Sequence, residues 1–186
     1  MTNHQSAANQ RVFLTVAQGD QRLGDLVFEL YSERQPATTE SFKQLCEGSE
    51  EGGYTGTTFH QGLSGFGISG GKLGEENVSA FGSRLSDEDT TVRHTKRGQL
   101  TASNDGPNSA GSEFTITFGA NNYLDGYQTV FGELVEGQSV LDALEAGCDR
   151  HGAVKGNHLT RWLEGEAGFA LPPNLVHMLY DAFKSQ

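Results

Sequence analysis

Basic residues are scarce in this sequence, and no long apolar run is present. Lysine and arginine together number 13 against 24 aspartates and glutamates, which gives a formal net charge of −11 at pH 7. Proteins that bind nucleic acids usually present a basic surface to the phosphate backbone, so we expect no nucleic-acid partner. No run approaches the roughly 20 apolar residues of a membrane-spanning helix, so we expect no membrane partner. The acidic charge fits a basic partner, or solubility alone.

Cysteine is also rare, and the N-terminus lacks a targeting pattern. Cys46 and Cys148 are the two cysteines of the sequence. Cys46 falls on a predicted helix, and we interpret both as buried free thiols rather than as a disulfide, which indicates a reducing compartment. Residues 1–10 are polar, without an apolar core or an arginine-rich amphipathic pattern, and predict a disordered tail with no import signal. These features predict a cytoplasmic protein.

Glycine, in contrast, is abundant. With 25 glycines and 35% hydrophobic residues among 186, the composition favours one turn-rich β domain over a helical bundle. Residues 99–103 and 113–118 each alternate as a strand, and they bracket residues 104–112, which are rich in Gly, Pro, Asn, Asp and Ser. A loop held in this way on a sheet is a favourable place for functional residues.

The remaining regular structure follows from apolar periodicity and from turn residues. A hairpin is predicted where two alternating runs flank Gln18-Gly19-Asp20. One helix is predicted to begin at Pro36 and to end before Gly48, and a second to end before Gly147. The predicted strands are 11–17, 25–31, 57–61, 63–71 and 153–163, and the two helices are 36–47 and 135–146.

Residues 65–70 match the pattern G-x-G-x-x-G, which suggests two different structures. A dinucleotide site would require a helix to open at this point, with its N-terminal amides on the pyrophosphate. Gly71-Lys72-Leu73-Gly74 is a poor helix start, so bends in a barrel strand are the favoured interpretation. The composition of residues 72–93 predicts a long surface excursion. We expect its acidic triplet at 87–89 to be a solvated face rather than a cation site.

The C-terminal segment has the apolar periodicity of a helix. Residues 169–186 predict a helix with Leu175, Met178, Leu179 and Ala182 on one face. Such a helix either packs on its own barrel or binds a protein partner. The histidines do not recur at metal-ligand spacing, so we expect no metal site.

Three blocks of the sequence combine glycines, aromatic residues and polar residues in a distinctive order. They are Phe-His-Gln-Gly-Leu-Ser-Gly-Phe (59–66), Gly-Pro-Asn-Ser-Ala-Gly-Ser-Glu-Phe (106–114) and Leu-Asp-Gly-Tyr-Gln-Thr-Val-Phe-Gly (124–132). They resemble the core motifs of the cyclophilins, the peptidyl-prolyl isomerases, and the resemblance extends from about Val12 to about Leu163. It implies a mainly β fold, a closed antiparallel eight-stranded barrel capped by two helices, with a C-terminal helix added here. The predicted divisions are a tail at 1–10, a cyclophilin-like domain at 11–165 and a C-terminal helical extension at 166–186.

The resemblance also implies an activity, the cis-trans isomerisation of Xaa-Pro bonds in peptides and proteins, without a cofactor. Rotation about the amide has a barrier of about 18–20 kcal/mol, and a donor aimed at the proline nitrogen stabilises the twisted state. In cyclophilins this donor is an arginine immediately after a Phe-His pair. Here Phe59-His60 is followed by Gln61, which is neutral and shorter. We therefore expect weak activity.

The remaining site residues are assigned by the same resemblance. Gln61 and Asn104 take the catalytic positions, and the backbone of Ser103 and Asn104 should pair with the residue before proline. Several positions depart from the family pattern in ways that make the pocket wider, more polar and more acidic. The predicted substrate-binding residues are Phe66, Gly67 (methionine in the family), Ser69 (glutamine), Ser103, Glu113 (glutamine), Thr115 (phenylalanine), Tyr123 (tryptophan), Leu124 and Gln128 (histidine).

Two functions remain open at this point. One is a weak peptidyl-prolyl isomerase, and the other is a peptide-binding or assembly module that has kept the fold and lost the reaction. Lys72 or Arg84 could stand in for the missing arginine, and Glu113, if unpaired, could attract a basic residue of a ligand. Because Gln61 and Tyr123 alter positions that the family uses for cyclosporin, we expect weak binding of that drug.

Overall fold

The computed structural model describes residues 9–48, 52–149 and the backbone of a strand at 176–181. Eight strands and two α-helices follow one another along the described chain, with strands in the majority. The helices are α1 (Pro36–Glu47) and α2 (Gln138–Ala146), with a short 3-10 helix at Asn122–Leu124. The strands are β1 (Arg11–Gln18), β2 (Gln21–Leu30), β3 (Gln61–Leu63), β4 (Gly67–Gly70), β5 (Gln99–Ala102), β6 (Phe114–Thr117), β7 (Val130–Glu136) and β8 (Val176–Asp181).

All eight strands belong to one antiparallel sheet, in the order β3-β4-β6-β5-β7-β2-β1-β8. Strands β1 and β2 confirm the hairpin predicted around Gln18-Gly19-Asp20. Strands β5 and β6 confirm the two strands predicted on either side of the central loop. The mainly β fold with two helices is therefore confirmed. The strand expected at 57–61 is wrong in its bounds, because β3 only begins at Gln61.

The prediction of a closed barrel is wrong for the described strands. β3 and β8 lie at opposite edges of the sheet, and no ladder joins them. β8 pairs with the outer edge of β1, with Leu14 opposite Tyr180, while no described strand pairs with the outer side of β3. The sheet is consequently open, and the closing strand expected at 153–163 lies outside the described residues.

The prediction of a C-terminal helix is also wrong where it can be compared. Residues 176–181 form β8, which supplies hydrogen-bonding partners to the backbone edge of β1. In the sequence, Val176, Met178 and Tyr180 alternate as in a strand, and the segment also has the apolar spacing of a helix. Periodicity alone therefore does not distinguish the two structures. A partner-binding helix has no basis in these six residues. The rest of the segment lies outside the described residues.

One hydrophobic cluster fills the inner face of the sheet. Strands β1, β2, β4, β5, β6 and β7 and both helices contribute to it. Phe42 of α1 is central, with ring centroids 5.4 Å from Tyr54, 5.2 Å from Phe114 and 5.0 Å from Phe131. Cys46 lies buried in the same cluster as a free thiol, and burial raises its pKa well above the usual value. The core thus confirms the helix at 36–47.

The acidic triplet at 87–89 is not a solvated face. Glu88 accepts hydrogen bonds from the backbone N–H groups of Ala37 and Thr38, each at 2.9 Å, at the start of α1. Asp89 pairs with Arg34 at 3.0 Å, and its backbone is held by the buried side chain of Gln35. Long-range contacts therefore use these carboxylates to fix the excursion against α1.

The glycine-rich pattern at 65–70 lies in the hairpin of β3 and β4. Among the described residues, no helix opens directly after β4 and no α-helix follows until after β7, so the dinucleotide interpretation lacks the N-terminal amides it requires. Gly65 has φ +81°, and a Cβ on Gly67 would lie 2.8 Å from the Ile116 carbonyl. Bends and close approach, as predicted, explain these glycines.

Candidate functional site

A row of polar side chains crosses the outer face of β3, β4, β6 and β5. Gln61 pairs in register with Ser69, Ser69 with Thr115, and Thr115 with Thr101. Directly opposed residues of antiparallel strands project from the same face, and their neighbours along each strand project from the other. Exposure falls along the row, from the exposed Gln61 to the fully buried Thr101.

Hydroxyl groups link the middle of this row to the central loop. Ser69 Oγ and Thr115 Oγ1 are 2.8 Å apart, and Ser103 Oγ is 3.0 Å from the same Thr115 oxygen. Thr115 is only 6% exposed, so its hydroxyl is committed to these neighbours. Where the resemblance expects a phenyl wall and a glutamine, the surface carries a connected hydroxyl cluster of Ser69, Ser103 and Thr115.

Gln61 lies on the edge strand with an exposed side chain. No hydrogen bond joins that side chain to any part of the chain that the structure describes. Of the two suggested substitutes for the arginine, Lys72 is exposed and its charge helps to lower the pKa of Glu113. Arg84 is exposed as well, and no described residue forms an ion pair with it.

Glu113 has a partner, so the premise that it is unpaired is wrong. His60 Nε2 lies 3.1 Å from Glu113 Oε1. The His60 side chain is 31% exposed and the Glu113 side chain 24%. The hydrogen bond from His60 holds the pKa of Glu113 below its usual value. His60 Nδ1 is buried, and no described residue forms a hydrogen bond with it. One oxygen of the Glu113 carboxylate is thus engaged within the protein.

The central loop is held at both ends by side-chain amides. Asn77 donates from Nδ2 to the carbonyl of Ser103 at 3.0 Å and accepts the N–H of Glu113 at 3.0 Å. Ser103 N–H donates to the carbonyl of Glu113 at 3.1 Å, so the Ser103 backbone is already engaged. Asn104 Nδ2 donates to the Tyr127 carbonyl at 2.7 Å. No described residue bonds the backbone N–H or carbonyl of Asn104, which leaves both groups available.

The β3–β4 hairpin tip presents Phe66, which is 38% exposed. The tip is tied to α2, because Glu145 accepts hydrogen bonds from Gly65 N–H at 2.8 Å and from Ser64 Oγ at 3.1 Å. Arg97 pairs with the other oxygen of Glu145. Directly after Phe66, a Cβ on Gly67 would lie 2.8 Å from the Ile116 carbonyl, so this backbone has no room for a methionine without a shift.

Two tyrosines stand at the rim of the same face. Tyr123 in the 3-10 helix is 84% exposed and Tyr127 is 74% exposed, while Leu124 between them is half-buried. The Leu124 N–H donates to the Asn121 carbonyl, and the Asn121 N–H donates to the carbonyl of His94. The rim aromatics are therefore carried by a turn anchored on His94.

His94 also uses its side chain, a role that the sequence did not reveal. Its Nδ1 lies 3.0 Å from Asp125 Oδ1, and its Nε2 lies 2.9 Å from Thr101 Oγ1. The same Thr101 oxygen lies 3.2 Å from Gln128 Oε1. His94 and Asp125 are 31 residues apart, so no short spacing rule connects them. The structure thus joins one predicted site residue, Gln128, to a buried histidine.

The described residues contain no cluster of three or more His, Cys, Asp or Glu side chains that could hold a metal ion. In the same ranges, no helix has the length and apolar character needed to span a membrane. An open cavity of about 390 Å³ lies elsewhere and contains none of the predicted site residues. Its lining residues are Asn9, Tyr31, Glu33, Arg34 and Val92.

The comparison with known families agrees with the sheet and the loop motifs. Residues 13–160 match the family described as cyclophilin type peptidyl-prolyl cis-trans isomerase/CLD, which is most of the chain. The chain belongs to the cyclophilin family. Prolyl isomerisation and proline-containing peptides are consequently the reaction and the ligand class of its family. The family match extends across the polar row, the central loop and the tyrosine rim.

Proposed function

We propose that this cyclophilin binds extended, proline-containing peptides across the outer face of β4, β6 and β5, and isomerises their Xaa-Pro bonds weakly. The observation that carries the proposal is the neutral, exposed Gln61, whose side chain bonds to no described residue, at the position where the family resemblance expects an arginine. The backbone of Asn104 supports the binding part, because its N–H and carbonyl are available for β-type pairing with a peptide. Phe66 and Leu124 offer the nearby apolar contacts.

The reaction forms and breaks no covalent bond. When the amide twists, the proline nitrogen regains its lone pair and can accept a hydrogen bond from the carboxamide of Gln61. A neutral donor is about half as strong as a charged one, and the loss is about 2–4 kcal/mol of transition-state stabilisation. That corresponds to a rate roughly 30- to 1,000-fold below that of an arginine-bearing site.

A second function is favoured by a separate observation. The hydroxyl cluster of Ser69, Ser103 and Thr115 replaces apolar area that a proline ring would contact. A surface of this kind can still form hydrogen bonds with a peptide backbone. It gains less binding free energy from burying a proline ring, because less apolar area is removed from water. A peptide-binding module without catalysis is therefore the alternative, and it predicts binding that does not require proline.

Exchange spectroscopy on an Ala-Pro peptide separates the two functions. We would compare wild type, Gln61→Arg and Gln21→Arg at equal concentration. Gln21 is an exposed residue of β2, so its variant controls for added positive charge alone. The isomerase proposal expects slow but measurable acceleration by wild type and a large gain in Gln61→Arg only.

Each other outcome has a defined meaning. Acceleration by Gln61→Arg alone would mean that the site grips proline but that a carboxamide is insufficient, and the weak activity would be disproved. Binding without acceleration by any variant supports the module. No binding of proline-containing or proline-free peptides would overturn both functions. Cyclosporin should bind weakly because of Tyr123 and Gln61, and submicromolar affinity would contradict this description of the pocket.

A further inference from the structure

The tip of the β3–β4 hairpin, which carries Phe66, is held on one side by backbone hydrogen bonds. The Phe66 N–H donates to the carbonyl of Leu63 at 3.0 Å, and the Phe66 carbonyl accepts the N–H of Phe118, also at 3.0 Å. Phe118 directly follows β6, the strand next to β4 in the sheet. Both backbone groups of Phe66 are therefore engaged, and its position follows that of Phe118.

Glu145 of α2 holds the tip from the other side. Its Oε1 accepts the N–H of Gly65 at 2.8 Å and the hydroxyl of Ser64 at 3.1 Å, so the two residues before Phe66 are bound to the helix. Partial burial alone would raise the pKa of Glu145, but hydrogen bonds from Gly65 and Arg97 outweigh it and hold the pKa below its usual value. The acceptor at the tip is consequently a carboxylate ion at neutral pH.

Arg97 joins these two sides. Its Nη1 donates to the carbonyl of Phe118 at 3.1 Å and also pairs with Glu145, while its Nη2 donates to Asp142 at 2.7 Å. The guanidinium also lies over the ring of Phe118, 5.3 Å from its centroid. The side chains of Arg97 and Glu145 are only 27% and 23% exposed, so salt screens this pair less than it screens a fully exposed one. The planar fork of arginine thus connects the peptide group beside Phe66 to the helix.

The tip has few other restraints within the described part of the chain. β3 is three residues long, and β4 is the one described strand that pairs with it. Gly65 has φ +81°, and a Cβ built there would meet no atom within 4 Å, so the tip projects into open space. Phe66 is therefore presented on a short hairpin whose placement depends on the contacts of Arg97 and Glu145.

We infer that Arg97 and Glu145 are positioning residues that fix Phe66 as a preorganised contact for the proline ring of a bound peptide. A side chain that is already held loses less conformational freedom when a ligand packs on it, which improves affinity. The contact is made equally before and during rotation of the amide, so it acts on binding and not on the rate within the bound peptide. The part of this inference that concerns proline rests on the proposed function, whereas the placement of Phe66 by Arg97 and Glu145 does not.

NMR relaxation of the ligand-free protein tests the placement directly. In wild type, the amide order parameters of Gly65 and Phe66 should be about 0.85, the value of rigid backbone. In Glu145→Ala they should fall below about 0.6, and in Glu145→Gln, which keeps a neutral acceptor, they should lie between these values. Glu40→Ala is the matched control, because Glu40 is an exposed carboxylate of α1 that bonds to Gln44. Order parameters that stay rigid in Glu145→Ala would overturn the inference.

Variants of Arg97 test the connection between the two sides. Arg97→Met removes every donor but keeps an unbranched stem against Phe118, so the order parameter of Phe66 should fall. Arg97→Lys keeps a charge without the fork and should lie between Arg97→Met and wild type. These variants also replace Glu145→Ala if that protein fails to fold. Unchanged order at Phe66 in Arg97→Met would disprove the role of Arg97.

Titration with matched Ala-Pro and Ala-Ala peptides gives the functional readout. Glu145→Ala should weaken binding of the Ala-Pro peptide by roughly two- to tenfold, the cost of ordering one side chain on binding. Binding of the Ala-Ala peptide and the cis-trans exchange rate within the bound Ala-Pro peptide should not change. In a Phe66→Ala background, the same change at Glu145 should have no further effect on affinity.

The other outcomes separate this inference from the proposed function. Equal weakening of both peptides, a lower exchange rate within the bound peptide, or an effect of Glu145→Ala that persists without the Phe66 ring would overturn the part that concerns proline. Absence of any peptide binding by wild type would count against the proposed function instead, because the order parameters of the ligand-free protein test the placement of Phe66 independently.

Discussion

Glu88→Ala should destabilise the protein by removing the cap of α1. The Glu88 carboxylate accepts the N–H groups of Ala37 and Thr38 at 2.9 Å, and the Thr38 hydroxyl at 2.6 Å. Pro36 has no N–H at the first turn, and Gln35 makes no side-chain cap because its amide is bound to Asp89 and β7. Glu88 is therefore the group that satisfies the free N–H donors of this helix.

The magnitude follows from two contributions. Loss of an N-terminal cap costs about 0.5–2 kcal/mol. Loss of a negative charge at the positive end of the helix dipole adds about 0.3–1 kcal/mol. Since Glu88 is half-buried and makes three hydrogen bonds, we expect the free energy of unfolding to fall by about 2 kcal/mol. In a chain of this size, that corresponds to a melting temperature lower by about 4–8 °C.

Thermal and urea denaturation at pH 7 would measure the change. Glu88→Gln, which keeps one carbonyl oxygen but loses the charge, should fall between Glu88→Ala and wild type. Glu76→Ala is the matched control, because Glu76 is an exposed residue of the same surface excursion. Amide exchange at Ala37 and Thr38 should accelerate in Glu88→Ala. A loss within about 0.5 kcal/mol of the control would refute the capping role.

Three further variants probe the site. Glu145→Gln removes the negative charge that accepts the N–H of Gly65. The amide of Gly65 should then exchange faster, while the melting temperature should fall by a few degrees at most. Unchanged exchange would contradict the role of Glu145 in holding the β3–β4 hairpin. Gly67→Ala places a Cβ 2.8 Å from the Ile116 carbonyl. We therefore expect urea denaturation to show a free energy of unfolding lower by about 1–3 kcal/mol. A variant as stable as wild type would show that β4 and β6 can move apart. Because His60 lowers the pKa of Glu113, the stabilisation from this pair is complete above the usual value of 4.5 and is lost as pH falls through the lower folded value. The difference in unfolding free energy between wild type and Glu113→Gln should thus shrink between pH 6 and pH 3, and a constant difference would contradict the pairing.

The sequence alone determined the features that depend on neighbours in the chain. Pro36 and Gly48 mark the ends of α1 because one presets a helical φ and the other adopts φ +66°. Alternation located β5 and β6, since side chains of a strand point to opposite faces in turn. The loop motifs identified the family, and with it Gln61 as the departure that most affects the expected chemistry.

Tertiary structure decided the contacts between distant segments, because a hydrogen bond needs a geometry that periodicity does not encode. The sequence predicted a solvated carboxylate at Glu88, yet Glu88 caps a helix that begins about 50 residues earlier. It also predicted an unpaired Glu113, whereas the fold places His60 beside it. Residues 176–181 were predicted as part of a helix, yet they form a strand that pairs with the backbone edge of β1. The contacts that connect His94 to Gln128 exist only because the fold places the Thr101 hydroxyl between them.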